Sequence, residues 1–117
     1  IDAFSHTSAF YYLHKDGSAK ITVQPFLQDV ERGIFATRAP CRPNPIGMSA
    51  VKLEEVICEK GRILLRLAGV DLLDGTPVLD IKPYLPYADG IPQASSSFAD
   101  AAPPRVKDNL LRCNILF

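Results

Sequence analysis

Residues 49–67 read SAVKLEEVICEKGRILLRL, and their pattern decides the fold. Apolar and polar side chains alternate through residues 49–57, with Val51, Leu53 and Val56 as the inward positions of a strand. Glu59-Lys60-Gly61-Arg62 then turns the chain. Ile63-Leu64-Leu65-Arg66-Leu67 returns it, so the stretch is predicted to be a hairpin with a glycine-containing loop. Upstream, Ala9-Phe10-Tyr11-Tyr12-Leu13 is aromatic and apolar and reads as a buried strand, followed by the turn signal Asp16-Gly17-Ser18. Residues 21–26 alternate and are β-branched, a second strand whose Pro25 marks an end or an edge. Residues 33–37 read as a third strand. Downstream, Asp74-Gly75-Thr76-Pro77 is a turn before a strand over 78–82, and Pro83 and Pro86 are expected to stop regular structure. Residues 90–104 read as a loop and 106–111 as a short C-terminal helix behind Pro103-Pro104. Short strands with tight turns and no βαβ alternation predict an all-β or mainly β fold, a small β-barrel or closed sheet.

The 117 residues, 47% of them hydrophobic, suffice for one domain with one core. The chain opens on Ile1 in a segment that reads like the middle of an element, so the domain over 1–117 is expected to lack its N-terminal strand or strands. Thirteen basic residues balance 13 acidic ones, so attraction to nucleic acid has to come from local clustering. Lys15, Arg32, Arg38, Arg42 and Lys82 form such a cluster if the fold gathers them; otherwise they are scattered solvated charge. Cys41, Cys58 and Cys113 are odd in number and lack a CxxC spacing, which argues against a disulfide framework or a zinc site. No metal is expected, and a reducing cytoplasm suits the chain. No run of about 18 apolar residues suggests a membrane helix, and no signal peptide is visible.

The densest chemistry lies in residues 36–49, ATRAPCRPNPIGMS. Pro40, Pro43 and Pro45 stiffen the backbone at low entropic cost, and Arg38 and Arg42 flank the rigid loop. Two guanidinium forks suit a carboxylate or phosphate; Asn44 donates and accepts, and Gly47 lets another group approach the backbone. The competing reading is a structural connector between strands. Asp80 and Lys82 lie two apart on a strand and share a face, either as functional groups or as a weak exposed ion pair. His6 and His14 are each more ordinarily packed or surface histidines than bases, although His14 closes an apolar strand and is placed at the barrel mouth. No GxGxxG, P-loop or HExxH motif occurs.

Phe4-Ser5-His6, Gly33-Ile34-Phe35-Ala36-Thr37-Arg38, the string RPNPIGMS at 42–49 and the string DGTPVLDIKPYLP at 74–86 together resemble the signature of the TsaA-like proteins. The resemblance covers residues 1 to 103 or so, and the two long strings are unusual in composition. It implies a small β-barrel unlike the Rossmann-type methyltransferases, S-adenosylmethionine as cofactor, homodimers with the cofactor near the subunit boundary, and tRNA as substrate. The reaction it implies is N6-methylation of threonylcarbamoyladenosine, the modified base 3′ of the anticodon. The cofactor-binding positions it implies are His14, Lys15, Arg38, Arg42, Pro43, Asn44, Pro45, Gly47, Met48, Ser49, Asp74, Gly75, Thr76 and Pro77. Asp80 and His14 are the candidates for the base that removes the N6 proton. The chain departs from the family in lacking a further N-terminal stretch with a Gln-Pro element and the C-terminal domain of some bacterial members. The alternatives are a cofactor-binding module without methyl transfer, or a methyltransferase of the same fold acting on another substrate.

Overall fold

In a computed structural model, residues 1–14, 18–25, 29–97 and 100 are described, together with the backbone of 112–116. The strands are β1 (His6–Tyr12), β2 (Thr22–Val23), β3 (Arg32–Gly33), β4 (Ile46–Glu59), β5 (Arg62–Ala68), β6 (Val78–Pro83) and β7 (Arg112–Leu116). Five of them make one antiparallel sheet in the order β6-β1-β4-β5-β7, and β2 and β3 pair as a separate ribbon. The mainly β expectation holds. The sheet edges are β6 and β7, and among the described residues no ladder joins them into a barrel.

The hairpin of residues 49–67 forms around a two-residue turn. Lys60 and Gly61 both take positive φ, 48° and 74°, and Glu59 pairs with Arg62. Two successive positive φ values suit a primed turn, whose twist matches that of the flanking strands. Replacing Gly61 by alanine is expected to cost about 1 kcal/mol, because a Cβ in the left-handed region meets its own backbone. Urea unfolding reads the loss, and unchanged stability would contradict this account of the turn.

The alternation in β4 changes phase midway, and a bulge explains it. Register passes from Leu53↔Leu67 to Glu55↔Arg66, so β4 carries one extra residue there. The parity switch lets Val56 join Val51 and Leu53 against the core although its spacing from them is odd. The core consists of Val51, Leu53, Leu65, Leu67 and Val70, with Val56, Leu72, Val78 and Ile81 packed against it. Full burial of side chains of this size contributes about 1.5–3 kcal/mol each. Thr7 is also buried, and its hydroxyl donates to the Lys82 carbonyl at 2.7 Å, which removes the penalty of an unpaired polar group.

Several predicted elements differ. β1 begins at His6 and ends at Tyr12 instead of spanning 9–13. Of the strand expected over 21–26, Thr22–Val23 is strand among the described residues, and residue 26 lies outside them. Of the strand expected over 33–37 only Gly33 is strand, at the end of β3; Ile34–Ala36 form one turn of 3₁₀ helix after it. The cause is Thr37, whose backbone N–H and hydroxyl both donate to the Ile34 carbonyl, at 3.1 and 2.9 Å, and close the turn. Pro86 opens a short helix, α1 (Pro86–Asp89), where its missing N–H is no loss, and the Asp89 carboxylate accepts from the Leu85 N–H at 2.8 Å. Prolines 83 and 86 thus delimit structure more than they abolish it. β7 was not anticipated, and the helix expected over 106–111 lies outside the described residues.

Candidate ligand site at the end of the first strand

β1 lies between β4 and β6 and ends where two loops meet. The Tyr12 N–H donates to the Pro77 carbonyl at 2.9 Å, and the Leu13 N–H donates to the Pro45 carbonyl at 2.7 Å. A proline has no N–H to offer, so each loop contributes only its carbonyl to this junction. The proline-rich loop and the Asp74-Gly75-Thr76-Pro77 turn are thereby fixed on opposite sides of one extended segment. His14, half-buried, lines a cleft of about 90 Å³ together with Tyr11, Tyr12, Leu13, Asp71, Leu72, Leu73 and Thr76.

Each loop is stiffened from within. Gly75 takes φ +81°, which a side chain would resist, and the Thr76 hydroxyl and N–H both donate to the Leu73 carbonyl, at 2.7 and 3.1 Å. Asp74 is exposed beside them. In the other loop Arg42 turns inward: its Nη1 donates to the carbonyls of Thr37 and Ala39, at 2.9 and 3.0 Å. Arg42 therefore fastens the loop on which Arg38 stands. Arg38 is exposed and makes no hydrogen bond or ion pair among the described residues, which leaves its fork available.

The remaining predicted positions are distributed by strand geometry. The Asn44 carbonyl accepts from the Ile46 N–H at 2.8 Å, while the Asn44 side chain is exposed. Pro43 faces a different groove, shared with Ile21, Ile34 and Phe35. From Ile46 onward the motif is strand, so Gly47 and Ser49 face one side and Met48 the other. The Tyr11 ring lies over Gly47, where a Cβ would come within 2.1 Å of its Cε2, and the Tyr11 hydroxyl shares a 2.9 Å hydrogen bond with the Ser49 hydroxyl. The close approach that Gly47 permits is that of Tyr11. Met48 is exposed on the opposite face, across from Phe10.

Asp80 sits apart from the cleft. One of its carboxylate oxygens lies 3.4 Å from the Lys82 ammonium, the other accepts from the Ile81 N–H at 2.9 Å, and both side chains are exposed. It pairs with Phe10 across the sheet, and four extended residues, roughly 13 Å, separate that point from His14. The proposed basic cluster is reduced accordingly: Arg42 is turned inward and Lys82 is paired with Asp80. Lys15 lies outside the described residues. The structure brings together His14, Pro45, Thr76 and Pro77. It adds Tyr12, Asp71, Leu72 and Leu73, which sequence reading passed over. The apolar pair Leu72-Leu73 directly before a turn was the available signal, since turns seldom carry two large apolar residues without covering something. No cluster of three or more His, Cys, Asp or Glu able to hold a metal occurs among the described residues.

The fold and the site define a small, mainly antiparallel β domain that presents a small cleft between two stiffened loops at one end of its sheet. The model of the tRNA-methyltransferase O N-terminal domain family matches residues 1–90, and the chain belongs to that family. It is 49% identical over 107 residues to the tRNA (adenine(37)-N6)-methyltransferase of Escherichia coli, covering 88% of this chain and 46% of that protein. It is 51% identical over 89 residues to a probable S-adenosyl-L-methionine-binding protein of Pyrococcus abyssi, covering 76% of this chain and 46% of the relative. The crystal structure of TrmO from Pseudomonas aeruginosa superposes with a TM-score of 0.64 at 46% identity, over 86% of this chain and 41% of that one. The chain thus spans less than half the length of these relatives.

Proposed function

We propose that this chain is the cofactor-binding part of an S-adenosylmethionine-dependent tRNA methyltransferase that methylates N6 of threonylcarbamoyladenosine at position 37, beside the anticodon. The names of the Escherichia coli and Pyrococcus abyssi relatives support the reaction and the cofactor. The observation that carries the reading is the junction at the end of β1, where His14, the Pro45 loop and the Thr76-Pro77 turn meet.

The residues present fit parts of the cofactor. Arg38 offers an exposed planar cation to a carboxylate, and Asp74 offers an exposed acceptor to an ammonium or to ribose hydroxyls. The cleft of about 90 Å³ is smaller than the roughly 300–1,000 Å³ of a complete ligand pocket, so it takes one fragment while the rest lies across the two loops. Tyr12, Leu72 and Leu73 supply its apolar walls. S-adenosylmethionine, when bound, supplies an electrophilic methyl group on a cationic sulfur. The chain's part is positioning, worth up to about 7–11 kcal/mol in well-oriented reactions, and removal of the N6 proton. His14, which lines the cleft, is better placed for that proton than Asp80, which lies away from it and faces Lys82 and the Ile81 N–H.

A homodimer in the cytoplasm completes the reading. Tyr12, Ile46 and Met48 are about half exposed on the outer face of β1 and β4, an apolar surface that a second copy can cover. No helix among the described residues is long and apolar enough to cross a membrane.

The test is methyl transfer, by the protein that contains this chain, to tRNA with and without the threonylcarbamoyl group. Transfer is expected only to the modified tRNA. The His14→Asn variant is expected to lose roughly 10²-fold in rate at saturating cofactor, the lower end of general-base contributions. Cofactor binding without transfer to any tRNA would leave a binding module instead.

A further inference from the structure

A second concave surface lies away from the junction. Ala19, Lys20, Ile21, Gly33, Ile34, Phe35, Ala36 and Pro43 line an open groove of about 360 Å³. Phe35 is 83% exposed and Ile21 87% exposed. Two large apolar side chains left so bare on one groove mark a contact surface. The groove has a built frame: the Ile34 N–H donates to the Ile21 carbonyl at 2.8 Å, the Lys20 N–H to the Cys41 carbonyl at 3.0 Å, and Ile34 is buried beneath. Thr37 closes the 3₁₀ turn that carries Phe35, so the ring is presented by a fixed backbone. The lining holds one cation, Lys20, and no carboxylate among the described residues. Arg38, which has no hydrogen bond or ion pair among the described residues, follows Phe35 by three residues, within roughly 11 Å along the chain.

We propose that this groove is a nucleobase-stacking site, in which an unstacked base of the RNA substrate lies against Phe35 and its phosphate meets Lys20. The proposal rests on the tRNA reading above. Single-stranded nucleic acid is recognised by this pairing of a bare aromatic face with nearby cations, because every base has a flat apolar face joined to an anionic backbone. A second copy of the chain fits less well: in a two-fold interface the patch meets itself, which brings Lys20 towards its own counterpart. Gly33 supplies an independent handle. A Cβ there meets nothing within 4 Å, and its φ of −58° is open to any residue, so a large side chain enters the groove without strain.

The experiment measures, by fluorescence anisotropy at fixed salt, how an anticodon stem-loop RNA binds the wild-type chain, Phe35→Ala, Phe35→Tyr and Gly33→Leu. Calorimetry with S-adenosylmethionine and light scattering accompany each variant. Phe35→Ala and Gly33→Leu are expected to lose about tenfold in RNA affinity, the scale of one stacked base, while Phe35→Tyr keeps it and cofactor affinity stays constant. Wild-type affinity in both Phe35→Ala and Gly33→Leu overturns the groove while leaving the tRNA reading intact. A loss that accompanies a change from dimer to monomer assigns the groove to self-association and overturns it as well. A wild-type chain that binds the cofactor but no RNA refutes the tRNA reading itself, and the groove proposal with it.

Discussion

Gly47→Val is expected to destabilise the domain by roughly 3 kcal/mol, the upper range for forcing side-chain atoms into a packed site. The cause is local. A Cβ at Gly47 falls 2.1 Å from Cε2 and 2.6 Å from Cζ of Tyr11, so the ring has to leave. Tyr11 is only 8% exposed and is Gly47's cross-strand partner, so its exit also breaks the 2.9 Å hydrogen bond to Ser49. The Leu13–Pro45 bond that closes the junction lies two residues beyond Tyr11, so ligand affinity is expected to fall along with stability. Urea unfolding of Gly47→Val, Tyr11→Ala and the double variant checks this. The double variant is expected to be well short of the sum of the singles, because removing the ring removes the clash. Fully additive losses would mean that the ring does not set the requirement for glycine.

Arg38→Ala is expected to weaken S-adenosylmethionine binding by about 1.5–3 kcal/mol, the scale of a charge-assisted hydrogen bond. Thermal stability is expected to stay within about 0.5 kcal/mol, since the side chain is exposed and touches no partner among the described residues. Arg42→Ala is the contrast. It removes the two bonds to the Thr37 and Ala39 carbonyls and loosens the loop, so stability and affinity fall together. Arg38→Lys separates charge from shape: a loss close to that of alanine would show that the planar fork matters. Calorimetry and thermal melts on the three variants distinguish these roles, and undiminished cofactor binding by Arg38→Ala would remove Arg38 from the site.

Where a local rule sufficed, the chain was readable. Alternation placed Val51 and Leu53 inward, and Lys60-Gly61 marked the hairpin turn. Where a particular side-chain bond or a pairing between distant strands decided, it was not. The strand expected over 33–37 became a 3₁₀ turn because one threonine side chain found a carbonyl, a choice that β-propensity does not contain. Val56 was read as inward along with Val51 and Leu53, but the bulge in β4 that reconciles its odd spacing depends on pairing with β5. Within the candidate site, both proline-bearing loops stood out by composition. Their junction with residues 12 and 13 did not, since it exists only once β1 lies between β4 and β6. The two arginines looked equivalent in sequence; only the fold turns Arg42 to its own loop and leaves Arg38 outward. The pairing of Asp80 with Lys82 emerged as the plainer of its two readings, an exposed ion pair of small energetic worth.

The central claim is that the two loops meeting at the end of β1 form an S-adenosylmethionine site, and a calorimetric titration of that molecule into the chain tests it most directly. Saturable binding, weakened in Arg38→Ala at unchanged thermal stability, is the predicted result. A folded chain that gives no binding heat up to millimolar cofactor would contradict the claim.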